Sequence, residues 1–121
     1  MTSKIRDLKT LLVLLRSNLF NKDKESALYN IEKILYLLDE IKEEQVYSFL
    51  FVCVSEIEKL VQDEKLNQAY DLVDCIHVIP DIVESSNRDW KSYWEIYVEK
   101  YVLDWGASSL RQFKEEIINL H

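Results

Sequence analysis

The sequence predicts an all-α fold, a single-domain antiparallel bundle of five or six helices over residues 1–121. Three observations predict it. Leu, Ile, Val and aromatic residues recur at spacings of three and four through most of the chain. Between Lys22 and Asp104 there is one proline, Pro80, and no glycine, so little in that stretch breaks a helix. The apolar stripes are parted by short polar runs, and short connections between helices of similar length favour antiparallel neighbours.

The first helix is expected over about residues 3–19. Ile5, Leu8, Leu12, Leu15 and Leu19 form one stripe, and Leu11 and Leu14 widen it, which marks this helix as central. Asn21, Lys22 and Asp23 interrupt the pattern, and Asn21 or Asp23 can cap the next helix. That second helix covers about residues 23–41, with Leu28, Ile31, Leu35 and Leu38 as its stripe and Ile34 and Ile41 alongside. Glu25 near its start suits the helix dipole. The polar run over residues 39–44 shifts the phase and places a tight turn near Lys42. No glycine or proline stands there, so residues 23–62 also fit one bent helix.

A third helix over about residues 44–62 turns Val46, Leu50, Cys53, Ile57 and Leu60 inward, with Tyr47, Phe51 and Val54 broadening that face. After a turn at Asp63-Glu64-Lys65, a fourth helix over about residues 66–78 carries Leu66, Ala69, Val73 and Ile76. It stops before Pro80, because proline disfavours helix at the preceding residue. The segment after Pro80, through Ser85-Ser86-Asn87, reads as the most irregular of the chain. Asn87 or Asp89 then caps a fifth helix bearing Trp90, Trp94, Tyr97 and Tyr101, a stripe read as core more than contact surface. Gly106 ends or kinks it, and a last amphipathic helix carries Leu110, Phe113, Ile117 and Leu120.

With 121 residues, 48% of them hydrophobic, the chain can bury a core without metal or disulfide staples. Its apolar runs, such as Leu11 to Leu15, are far too short to span a membrane. No small-residue cleavage site comes after the N-terminal basic residues, so the expected location is cytoplasmic. Cys53 and Cys75 form no CxxC pair and read as buried free thiols, with a disulfide between them left open.

The net charge of −7 is unevenly placed. Residues 1–20 carry +3, residues 21–68 and 69–104 carry −5 each, and the remainder balances. An acidic middle repels nucleic acid and anionic lipid and attracts basic proteins. The plainer reading is that these carboxylates are the solvated faces of helices.

No catalytic or cofactor motif is visible. His77 has Asp74 three residues before it, but one imidazole and one carboxylate fall short of a zinc site. Cys75 shares no face with His77, which argues against Cys/His catalysis. Two carboxylate pairs, Glu40/Glu43 and Asp71/Asp74, have the spacing that stacks acids on a helix face and can hold magnesium. Helical nucleoside-triphosphate pyrophosphohydrolases use ExxE followed by ExxD. This chain has DxxD in the second place and lacks their evident basic support, so that enzyme class stands as an alternative.

The stretch from Ala69 to Pro80, A-Y-D-L-V-D-C-I-H-V-I-P, with Trp94, Tyr97 and Tyr101 after it, resembles small all-helical bacterial immunity proteins of polymorphic and contact-dependent toxin systems. The resemblance covers about 35 residues. It implies a non-catalytic protein that binds and blocks a cognate toxin domain, commonly a basic nuclease. An acidic inhibitor complements such a partner and speeds its association. The other alternative is a helical adaptor or regulatory subunit. Asp71, Asp74, Asp81, Glu84 and Asp89 gather around the end of the fourth helix and the segment after it, with Tyr93 beside them. These six residues are the expected partner-binding surface.

Overall fold

The computed structural model describes residues 2–86 and 90–93, and these are helical apart from short turns. The elements are α1 (Thr2–Phe20), α2 (Lys24–Ile41), α3 (Gln45–Gln62), α4 (Leu66–Ile76), α5 (Ile79–Ser86) and α6 (Trp90–Tyr93). Helix α1 packs on α2, α4 and α5, while α3 packs on α2 and α4. No described helix is long and apolar enough to cross a membrane. The expected stripes of Trp94 to Tyr101 and of the last helix, and the role given to Gly106, lie outside the described residues.

The leucine stripe of α1 is the inward face: Leu8, Leu12, Leu15 and Leu19 are buried. They meet Ile31, Ile34 and Leu38 of α2, Phe49, Leu50, Val54 and Ile57 of α3, and Leu72, Val73 and Ile76 of α4 in one core. Burying each such side chain contributes roughly 1.5–3 kcal/mol of transfer free energy, and that term holds the helices together. Trp90 of α6 closes on this core, its ring centroid 4.9 Å from that of Phe49. On α2 the fully inward residues are Ala27, Ile31, Ile34, Leu38 and Ile41, so Leu28 and Leu35 sit at the edge of the face. Leu14 does not widen the buried stripe of α1: it is 46% exposed, and Leu11 is half-buried.

Residues 23–62 form two helices, α2 and α3, parted by a turn after Ile41. Asp23 is the N-cap of α2, its carboxylate accepting the Ser26 N–H at 3.2 Å. Two turns solve the absence of glycine in the same way. After α1 the Asp23 N–H donates to the Asn18 carbonyl at 2.9 Å, and the Lys22 N–H to that of Leu19 at 3.1 Å. After α3 the Lys65 N–H donates to the Leu60 carbonyl at 2.8 Å, and the Glu64 N–H to that of Val61 at 3.1 Å. Each is a Schellman cap, which requires left-handed backbone at one residue. Lys22 (φ 57°) and Glu64 (φ 64°) take that conformation where glycine is the usual occupant. The two caps lie together, because Lys22 donates to Asn67 at 2.8 Å and Lys24 pairs with Glu64.

A second expectation is corrected. The segment after Pro80 is not an irregular loop but helix α5, in which Ser85 and Ser86 are helical too. Helix α4 does end early, at Ile76, and a two-residue turn of His77 and Val78 comes next. Proline is then tolerated because it falls in the first turn of the new helix. The first four N–H groups of a helix have no partner within it, so the missing donor costs nothing. The Val78 carbonyl accepts the Ile82 N–H at 3.0 Å and starts the ladder.

Candidate functional surfaces

Helix α1 carries the positive end of the sequence, and its bases reach three neighbours. Lys4 pairs with Glu40 of α2 at 3.1 Å, so the beginning of α1 lies by the end of α2. Lys9 pairs with Asp81 of α5 at 2.9 Å and with Glu84. Arg16 donates through Nε to Asp74 of α4 at 2.6 Å and lies over the Tyr70 ring, 5.4 Å from its centroid. The charge asymmetry of the sequence is therefore in part an internal complementarity.

Four of the six residues expected to bind a partner fall on this seam between α1 and the α4–α5 pair. Asp74, Asp81 and Glu84 hold the bases of α1, and Asp71 sits half-buried one turn from Asp74. Among the described residues each cluster sets two carboxylates beside one cation. Burial pushes the Asp71 carboxyl above its ordinary range, with the nearby Asp74 charge adding to the effect. The bonds to Glu84 and Asp81 push the Lys9 ammonium up, and the Asp74 bond does the same for Arg16. Asp89 lies outside the described residues, and Tyr93 is placed only as the last residue of α6.

His77 is held by backbone. Its Nδ1 is 2.8 Å from the Asp74 carbonyl oxygen and 3.3 Å from that of Val73. A carbonyl only accepts, so Nδ1 carries the proton. Cys53 and Cys75 are buried thiols, neither of them in a disulfide. Burial raises the Cys53 thiol well above its ordinary value and pushes Cys75 up to about 12, with Asp74 and Asp71 adding to the second. Neutral thiols of this kind are poor nucleophiles.

The two carboxylate pairs are not brought together. Glu40 is tied to Lys4 and Asp74 to Arg16. Those bases are twelve residues apart on one helix, roughly 18 Å at 1.5 Å per residue. A magnesium ion bridged by both pairs needs them within a few ångströms. Among the described residues, no cluster of three or more His, Cys, Asp or Glu side chains could hold a metal ion.

On the other flank of α1 a groove of about 640 Å³ opens against α2. Thr10 and Leu11 of α1 line one wall, and Tyr29, Tyr36 and Leu37 of α2 line the other. Tyr29 and Tyr36 are 59% and 72% exposed. They belong to an outward stripe of α2, Glu25, Tyr29, Glu32, Tyr36 and Asp39, in which acids and tyrosines alternate at helical spacing and all are exposed. Sequence reasoning missed it because the inward leucines dominate the pattern of this helix. The signal was present as two tyrosines seven residues apart with a carboxylate between them. No protein-family model, curated protein or solved structure matches this chain.

Proposed function

We propose that this protein is a toxin-neutralising immunity protein, which binds a basic toxin domain in the cytoplasm stoichiometrically and without catalysis. An antiparallel bundle of five or six helices would be its scaffold. The observation that carries the reading is the exposure of the acidic residues: Glu25, Glu32, Asp39, Glu40, Glu43, Glu44, Asp63 and Glu64 all face water in a chain of net charge −7. A surface with this excess of acid raises the local concentration of a cationic partner and its rate of encounter. The resemblance of residues 69–101 to immunity proteins supports the choice of partner.

The α4–α5 seam belongs to this surface. Asp71, Asp74, Asp81 and Glu84 stand at its rim, Asp89 and Tyr93 are assigned to it from the sequence, and these carboxylates add to the steering field.

The test is co-expression with a toxin domain from a neighbouring gene, which this reading expects. The wild-type chain is expected to restore growth and to bind that domain one to one. A variant with Asp71→Lys and Asp81→Lys should keep its melting temperature within a few degrees. Its association with the toxin should slow by about tenfold at low salt, with the difference shrinking as salt rises. No growth rescue by the wild-type chain would sink the reading.

A further inference from the structure

The α1–α2 groove has the features of a seat for a helix. Tyr29 and Tyr36 are seven residues apart on α2, about 10.5 Å along its axis. That matches the i, i+7 spacing at which an amphipathic helix presents its apolar anchors. Leu11 and Leu37 give the floor an apolar lining, and Leu14 lies exposed one turn beyond Leu11 on α1. Two acids, Asp7 and Glu32, and one base, Lys33, line the groove. Among the described residues the two acids have no ion-pair partner, unlike Asp74, Asp81 and Glu84 on the opposite flank.

The tyrosine rings already show what they accept. Lys33 places its ammonium 4.3 Å from the centroid of Tyr29. Among the described residues no cation lies over Tyr36, which is the more exposed of the two and has Glu32 one turn before it and Asp39 one turn after. An aromatic face beside a carboxylate binds a guanidinium or ammonium through the ring and the charge together.

We propose that this groove is the docking site for one amphipathic helix of the basic partner, with its apolar stripe on Leu11, Leu14, Tyr29 and Leu37 and an arginine or lysine over Tyr36 beside Glu32. The proposal rests on the protein-binding reading above and assigns the two flanks of α1 different tasks. The α4–α5 seam steers the partner in, and the groove holds it. The flanks are one helix diameter apart, about 10 Å, well inside an ordinary interface of roughly 800 Å² per partner.

The test uses the full chain and a defined probe, an 18-residue synthetic peptide with leucines at i, i+3, i+4 and i+7 and arginines flanking them. A peptide of the same composition in permuted order is the control. Backbone amide shifts are expected to move around Leu11, Leu14, Tyr29, Tyr36 and Leu37 with the striped peptide, and affinity for the permuted one should be at least tenfold weaker. Tyr29→Ala with Tyr36→Ala should weaken the striped peptide about tenfold, and Glu32→Lys should weaken it with both rings in place. Both changes are at exposed positions, so the melting temperature should hold. Asp71→Lys with Asp81→Lys should leave peptide affinity within about threefold. Equal binding of both peptides, shifts mapping elsewhere, or no binding would overturn the proposal. So would groove amides that move on dilution of the protein alone, since that would seat a second copy there. Failure of the toxin reading shows separately, as absent growth rescue by the wild-type chain. Failure of the groove alone shows as rescue and toxin affinity unchanged in the double tyrosine variant.

Discussion

Arg16 and Asp74, 58 residues apart in sequence, are joined by an Nε–H to carboxylate bond of 2.6 Å that ties α1 to α4. Both side chains keep about two-fifths of their exposure, so water screens the pair and its stabilisation is modest. A double-mutant cycle of Arg16→Ala and Asp74→Ala should give a coupling of about 0.5 kcal/mol that shrinks in 0.5 M salt. Arg16→Lys keeps the charge but loses planar stacking on Tyr70, so it should recover only part of the loss. A coupling above about 2 kcal/mol would mean the pair is far drier than its exposure indicates.

Lys22 holds left-handed backbone at the cap of α1 although it has a Cβ. The cost of that conformation for an L-residue is roughly 1 kcal/mol, and glycine escapes it. Lys22→Gly is therefore expected to raise stability by about 0.5 kcal/mol, net of the greater entropy glycine gives the unfolded chain. Lys22→Ala should bring no such gain, since alanine keeps the Cβ. Urea midpoints of the three proteins decide it. Equal loss in both variants would show that the Lys22 to Asn67 contact outweighs the backbone term.

The thiols link stability to alkaline pH. Burial raises Cys53 and Cys75 above the ordinary value of 9.0, Cys75 to about 12. The folded protein thus keeps both protonated while the unfolded chain ionises near pH 9. Their contribution is fully present below that value and is lost as pH rises through it towards 12. Between pH 8 and pH 10 the Cys75 thiol should remove about 1.4 kcal/mol. The fall in unfolding free energy over that interval should accordingly be smaller by this amount in Cys75→Ala than in wild type. Identical pH dependence would show that Cys75 ionises normally in the folded state.

Much of the helical framework was legible in the sequence because one-dimensional spacing carries it. Leu8, Leu12, Leu15 and Leu19 had to share a face at 3.6 residues per turn, and a face of four leucines had to be buried. The same spacing left Leu14 undecided, since it says which residues stand together on a helix but not how wide the neighbouring helices' cover is. The helix after Pro80 was illegible for a related reason. Proline forbids a helix through itself but permits one that starts at it, and the choice depends on whether Ile79 and Ile82 have a core to face. The candidate surfaces were decided by tertiary structure. Asp71, Asp74, Asp81 and Glu84 read as one acidic patch along the chain, yet only packing of α1 against α4 and α5 brought Lys9 and Arg16 to them. The same packing left Tyr29, Glu32 and Tyr36 uncovered on α2. The charge and period of each helix belong to the sequence; which charge meets which is set by the rotation at which apolar faces dock, because hydrophobic burial outweighs solvent-screened ion pairs several-fold.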